Sequence, residues 1–156
     1  MKGYWNAPEL TSEVYFTDMY GRKCLRTGDR FQIDDEGFLF FIGRNKEILK
    51  VNGYRIGVKE MEEILYEKLN PLIDEICVFG LADEIMGEKI AVCVRTDASE
   101  TEISERILQI SKELSPYQRP HVLYCTNQPL PRSQNGKIDR KYIKESGRYN
   151  AYKKLR

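Results

Sequence analysis

Three short stretches of the 156-residue chain gather the residue types that do chemistry. In Arg26-Thr27-Gly28-Asp29-Arg30, Asp29 stands on a polar turn, where by itself an aspartate serves the turn by accepting from nearby backbone N–H groups. Residues 43–57, GRNKEILKVNGYRIG, crowd Arg44, Lys46, Lys50 and Arg55 around Gly43, Gly53 and Gly57. Glycine permits close backbone approach, and cationic donors beside such turns suit a phosphate. In Asn135-Gly136-Lys137-Ile138-Asp139-Arg140, Lys137 follows a turn and precedes a short helix, a place where a lone lysine is by itself an ordinary surface residue. Metal chemistry is not expected, because ligands must cluster: His121 is the one histidine, and Cys24, Cys77, Cys93 and Cys125 are scattered with no CxxC pair. Cys77 and Cys93 lie in apolar runs and read as core, and all four thiols read as reduced and structural.

The elements that must hold these residues follow from periodicity. Residues 1–29 are Tyr-rich and broken by Gly3, Pro8, Gly21 and Gly28, which predicts loops and short strands with no helix. RFQI and FLFFIG flank a turn ending at Gly37 and predict a hairpin; EILKV and YRIG around Asn52-Gly53 predict a second. From Val58 the spacing of Met61, Ile64, Leu65 and Leu69 becomes helical, and Pro71 stops the helix. EICVFGL and KIAVCVRT are nearly continuous apolar runs, suited to central strands covered on both sides. Ser99 with Glu102 forms a capping box ahead of Ile103, Ile107, Ile110 and Leu114, which predicts a second amphipathic helix. A strand at HVLYCT and a short helix near the end complete an α+β order: a small mixed sheet with its helices on one face.

Composition narrows the class. Hydrophobic residues at 41% and charged residues at 31% suit one globular domain, or a domain plus part of another, and exclude a disordered or fibrous chain. No apolar run approaches the roughly 18 residues of a membrane span, and the N-terminus lacks the apolar core of a signal peptide, so the expected location is cytoplasmic. Residues 132–156 hold nine Lys or Arg against two acids, leaving sixteen against twenty-two in residues 1–131. With Tyr142, Tyr149 and Tyr152 among those cations, a nucleic-acid surface is a rival reading of the tail, beside a solvated end or a face for a phosphate-bearing ligand.

Order and spacing decide among these. GYWNAPELT is similar to GYxNxPExT, RTGD stands unchanged, FIGRNKEILKVNGYRIGVKEMEE is similar to GRxDxxIKxxGxRIxxxEIE, and PRSQNGKIDRK matches a closing lysine motif. Together they resemble, over nearly the whole chain, the closing third of the ANL superfamily of adenylate-forming enzymes: acyl-CoA synthetases, peptide-synthetase adenylation domains and luciferases. The resemblance implies an ATP-dependent, AMP-forming carboxylic acid–thiol ligase, with no nucleic acid as partner. It makes an acyl-AMP, then passes the acyl group to the pantetheine thiol of CoA or of an acyl or peptidyl carrier protein. Asp29 matches the acceptor for the ribose hydroxyls, Arg44 a nucleotide contact and Arg55 a nearby phosphate contact. Lys137 matches the catalytic lysine that bridges the acid and the α-phosphate. Lys46 matches the hinge between two active orientations, and Asn52 and Gly53 match the turn lining the pantetheine tunnel in the second.

The same resemblance assigns residues 1–45 to the terminal strands of the large N-terminal adenylating domain and 46–156 to the C-terminal lid. No TSGTTG-like phosphate loop occurs, so that loop, most of the Mg2+ site and the carboxylic acid pocket belong to the large domain, the implied partner. GLADEIMGEK, with Asp83, Gly87 and Glu88, resembles the GxxDxxxGE stretch common in CoA-forming ligases, whereas NGKIDRK leans toward carrier-protein loading. The acceptor stays open between the two. The alternative function is a catalytically inactive stand-alone lid or interaction domain.

Overall fold

The computed structural model describes residues 2–44, 47–146 and 153–155. The chain folds as two compact units, residues 1–46 and 47–156. The hinge expected at Lys46 lies outside the described residues, as do Tyr149 and Tyr152.

The first unit opens with a helix that the sequence reading did not anticipate, α1 (Pro8–Val14). Pro8 occupies its first turn, where a missing N–H costs nothing, and Thr11 Oγ1 donates to the Ala7 carbonyl (2.8 Å) while accepting from Tyr4 N–H (2.9 Å). Seven residues with none buried leave no apolar period to read. Strands β1 (Tyr15–Thr17) and β2 (Lys23–Leu25) pair antiparallel around Asp18, which accepts from the Tyr20 and Arg22 N–H groups. Strands β3 (Asp29–Ile33) and β4 (Leu39–Arg44) form the expected hairpin, closed by Asp34 accepting from Glu36 and Phe38 N–H. Gly43 is buried in this unit, whereas Phe31, Ile33, Phe38, Leu39, Phe40 and Phe41 are all about half exposed or more.

The second unit is built on a six-stranded mixed sheet. Strands β5 (Ile48–Val51) and β6 (Tyr54–Gly57) form a hairpin, followed by α2 (Val58–Leu69). Strands β7 (Glu75–Asp83) and β8 (Gly87–Arg95) pair antiparallel over nine residues each. After α3 (Glu100–Ser111), β9 (Val122–Thr126) runs parallel to β8; then come α4 (Arg140–Glu145) and β10 (Lys153–Lys154). Sheet order is β10-β9-β8-β5-β6, with β7 also on β8.

Alternation along the central hairpin makes two cores. Val78, Ile90, Val92 and Val94 pack with Met61 and Leu65 of α2 and Ile103 and Ile107 of α3. The intervening Cys77, Phe79, Ala91 and Cys93 pack with Leu130 and with Ile143 of α4. Helices therefore sit on both faces and not on one: the loop carrying Leu130 brings α4 round to the second face. Ser99 caps α3 by accepting from Glu102 N–H (3.2 Å), as expected. All four cysteines are free, and burial pushes the Cys77 and Cys93 thiols up to about 12, which keeps them protonated and inert. Among the described residues no helix is long and apolar enough to cross a membrane.

Backbone protection should follow burial. Amides of residues 2–44 are expected to exchange on the order of a hundredfold faster than those of β7 and β8, because only the latter open with the core. Hydrogen exchange read residue by residue checks this; equal protection in both units would contradict it.

Candidate functional site

The register of β3 against β4 sets Asp29 opposite Arg44, and Arg44 Nε donates to Asp29 Oδ1 (3.1 Å). Two residues singled out separately in the sequence thus meet at the open end of one hairpin. Thr27 Oγ1 accepts from the Asp29 N–H (3.1 Å), which fixes the turn beneath the carboxylate. The Asp29 side chain is 23% exposed and Arg44 60%. The bond uses one carboxylate oxygen and one guanidinium N–H, leaving acceptor and donor capacity side by side for a ligand carrying hydroxyls and a phosphate.

In the second unit Asn52 (φ 50°) and Gly53 (φ 81°) both adopt positive φ, the two-residue turn that matches strand twist and favours Asn-Gly. No heavy atom beyond the chain neighbours lies within 4 Å of where a Gly53 Cβ would stand, so space beside the turn is open. Lys50 and Arg55 face each other across β5 and β6, both exposed. Like charges directly opposite disfavour the pair, and an anion between them would offset that cost. Tyr54 stacks on Tyr117 (centroids 4.1 Å apart, planes at 9°), which stiffens the hairpin from the side.

Lys137 stands on a separate, tightly tied turn of the same unit. Arg132 and Ile138 form a β-bridge, and the Lys137 carbonyl accepts from Ser133 N–H (2.8 Å) and Ser133 Oγ (3.0 Å). Gly136 (φ 79°) donates to the Ser133 carbonyl (2.9 Å) and accepts from Arg132 Nη1 (2.9 Å). Arg132 in turn pairs with Glu75 at the start of β7, and Glu75 Oε2 accepts from Leu130 N–H (2.8 Å). Burial opposes ionisation of Glu75, but the Leu130 N–H and Arg132 hold its carboxyl below the usual range. The Lys137 backbone is fixed while its side chain is exposed and makes no ion pair among the described residues.

Arg140, which the sequence reading left in the basic tail, is instead half-buried and committed. Its Nη2 meets Glu62 Oε2 of α2 (2.5 Å), and Nη1 lies 4.0 Å from Glu47 Oε1. Glu62 Oε1 accepts from Val78 N–H of β7 (2.9 Å). Burial pushes the Glu62 carboxyl up, against the pull of the Val78 N–H and Arg140. Composition cannot distinguish a cation folded back on two carboxylates from a solvated one; its only signal was Asp139, which caps α4 by accepting from Tyr142 N–H and starts a helix at Arg140. Among the described residues no group of three or more His, Cys, Asp or Glu could hold a metal ion.

The chain belongs to the AMP-binding enzyme C-terminal domain family, whose model matches residues 60–137. It is 35% identical over 157 residues to a malonate–CoA ligase of Arabidopsis thaliana, covering 93% of this chain and 25% of that protein. A long-chain-fatty-acid–CoA ligase of Bacillus subtilis is 37% identical over 146 residues, with the same coverages. The fold matches o-succinylbenzoate CoA synthetase (MenE) from Bacillus subtilis, solved in complex with the acyl-adenylate intermediate OSB-AMP, at a TM-score of 0.70 and 25% identity over 93% of this chain and 28% of that one. The chain spans about a quarter of the length of the curated relatives it matches.

Replacing Arg140 by Gln should leave Glu62 half-buried without its charged partner and cost about 2 kcal/mol, the usual worth of a hydrogen bond to a charged group. Urea unfolding of the 156-residue chain measures it. A loss below about 0.5 kcal/mol, the level of an exposed pair, would show that Arg140 is a surface cation after all.

Proposed function

We propose that the chain is the C-terminal part of an ATP-dependent, AMP-forming carboxylic acid–thiol ligase, with residues 1–45 closing the N-terminal adenylating domain and 46–156 forming its lid. Exposed apolar side chains on β3 and β4 support the first assignment, since a hairpin of that composition suits the inside of a larger domain. In the first half-reaction an oxygen of the acid attacks the α-phosphorus of ATP and pyrophosphate leaves. Asp29 accepts from the ribose hydroxyls, Arg44 contacts the nucleotide, and the Lys137 ammonium meets the charge that builds between acid and phosphate. In the second, a thiol sulfur attacks the acyl carbon and AMP departs. Asn52 and Gly53 flank the pantetheine arm, with Arg55 on a phosphate. Lys46 is the pivot, and the acceptor is CoA or a carrier protein. The proposed compartment is the cytoplasm, where four free thiols stay reduced.

One observation carries this reading. The Lys137 turn is tied to β7 at Glu75, and the Asn52-Gly53 turn is tied to the opposite end of the same hairpin at Met86. Strand β7 runs from Glu75 to Asp83, roughly 25 Å at about 3.3 Å per residue. A rigid unit carrying its adenylating lysine at one end and its thiol turn at the other serves a single reaction centre by turning, one end at a time.

Lys137→Ala in the complete ligase should lower adenylate formation by about a hundred- to a thousandfold, the usual consequence of removing one preorganised donor. Transfer to the thiol from preformed acyl-AMP should change little. Acetylation of Lys137 erases the same charge and should reproduce the pattern. Equal loss in both half-reactions, or none in the first, would remove Lys137 from this role.

A further inference from the structure

The segment Gly80-Leu81-Ala82-Asp83-Glu84-Ile85-Met86-Gly87-Glu88 is absorbed by none of the roles above, yet each of its four signature residues makes a contact directed at the β5–β6 hairpin or at the turn that holds it. Asp83 shapes the β7–β8 turn: Oδ1 accepts from Ile85 N–H (3.1 Å) and Met86 N–H (2.9 Å), and Oδ2 pairs with Lys89. The Lys89 ammonium and the Met86 N–H hold its carboxyl down to about 2, so the turn keeps its charge across the working range of pH. The turn thereby aims the Met86 carbonyl at Asn52, whose N–H donates to it (2.9 Å). Gly87, at φ 77°, is in register with Val51, and a Cβ there would stand 3.1 Å from the Lys50 carbonyl.

Glu88 completes the set. With a two-residue turn at Asn52-Gly53, Lys50 falls in a non-hydrogen-bonded pair with Arg55, so its N–H points away from β6. The ladder between β5 and β8 contains only Val51 and Gly87, and so stops short of that N–H. Glu88 Oε2 takes it instead (2.7 Å), a carboxylate standing in for the missing strand. Gly80 makes this possible, because a Cβ on it would lie 2.3 Å from Glu88 Oε1 and 3.0 Å from Leu49 Cδ2.

We infer that the Gly80, Asp83, Gly87 and Glu88 set is a positioning element: it holds the Asn52-Gly53 turn in place for the incoming thiol arm. The structural half rests on the contacts alone; the thiol half rests on the function proposed above. On this account the motif accompanies thiol delivery because it sets the turn beside which the arm passes.

Amide exchange in the full 156-residue chain tests the first half. Glu88→Ala should speed exchange at Lys50 and Asn52 at least about tenfold, with Val92 and Val94 of β8 unchanged. Glu88→Gln, whose amide oxygen still accepts, should stay within about threefold of the parent, and Gly80→Ala, which displaces the carboxylate without removing it, should reproduce the local pattern of Glu88→Ala. Unchanged exchange at Lys50 and Asn52, or a uniform rise throughout the unit, overturns the positioning role. In the complete ligase, Glu88→Ala should raise the KM for the thiol several-fold more than that for ATP. Loosened amides with both KM values moved equally would leave the brace standing and overturn its service to the thiol step.

Discussion

The pairing of β7 with β8 is the interaction on which the rest of the second unit depends. Nine residues on each strand, alternating between two cores, lock the hairpin against helices on both faces. Its backbone and turn then serve as a fixed rail. Glu75 at one end anchors the Lys137 turn through Arg132 and the Leu130 N–H, Val78 in the middle anchors Arg140 through Glu62, and Met86 and Glu88 at the other end anchor Asn52 and Lys50. Because interiors pack at crystal-like density, displacing any one anchor strains the hairpin and not merely a loop.

Charge is divided accordingly. Arg132 and Arg140 spend their guanidinium groups on carboxylates inside the unit, which suits a group that forks onto two oxygens. Lys137 and Arg55 are mounted on turns and strands held by other residues, so their charge stays available to a ligand. The basic tail is therefore partly scaffold. In the first unit, Asp29 and Arg44 do both at once: each uses part of its hydrogen-bonding capacity on the other and keeps the remainder.

Much of this was legible in the sequence. The Asn52-Gly53 turn, the Ser99 cap and the apolar stripes of α2 and α3 are local signals, and each element formed where its residues placed it. The meeting of Asp29 with Arg44 follows from a hairpin whose turn was readable, once the bulge at Arg30 and Phe31 sets the register. What escaped depends on long-range contact. Arg140 reaches Glu62 across 78 residues, and Glu88 reaches Lys50 across 38, distances at which spacing carries no period. The helix α1 escaped for the opposite reason, being too short and too exposed to show a stripe. The GxxDxxxGE stretch, read as a clue to the thiol acceptor, also makes contacts that no spacing shows: Glu88 takes the Lys50 N–H and Met86 the Asn52 N–H of a neighbouring hairpin.

The central claim is that this chain supplies the lid half of an adenylating centre. Carboxylate-dependent ATP–pyrophosphate exchange tests it most directly, measured across a panel of carboxylic acids for the purified chain alone and for the chain joined to the adenylating domain of one of the CoA ligases it resembles. The account predicts no exchange by the chain alone and exchange by the joined protein well above that of the adenylating domain by itself. Exchange by the isolated chain, or a joined protein no better than the adenylating domain alone, would contradict it.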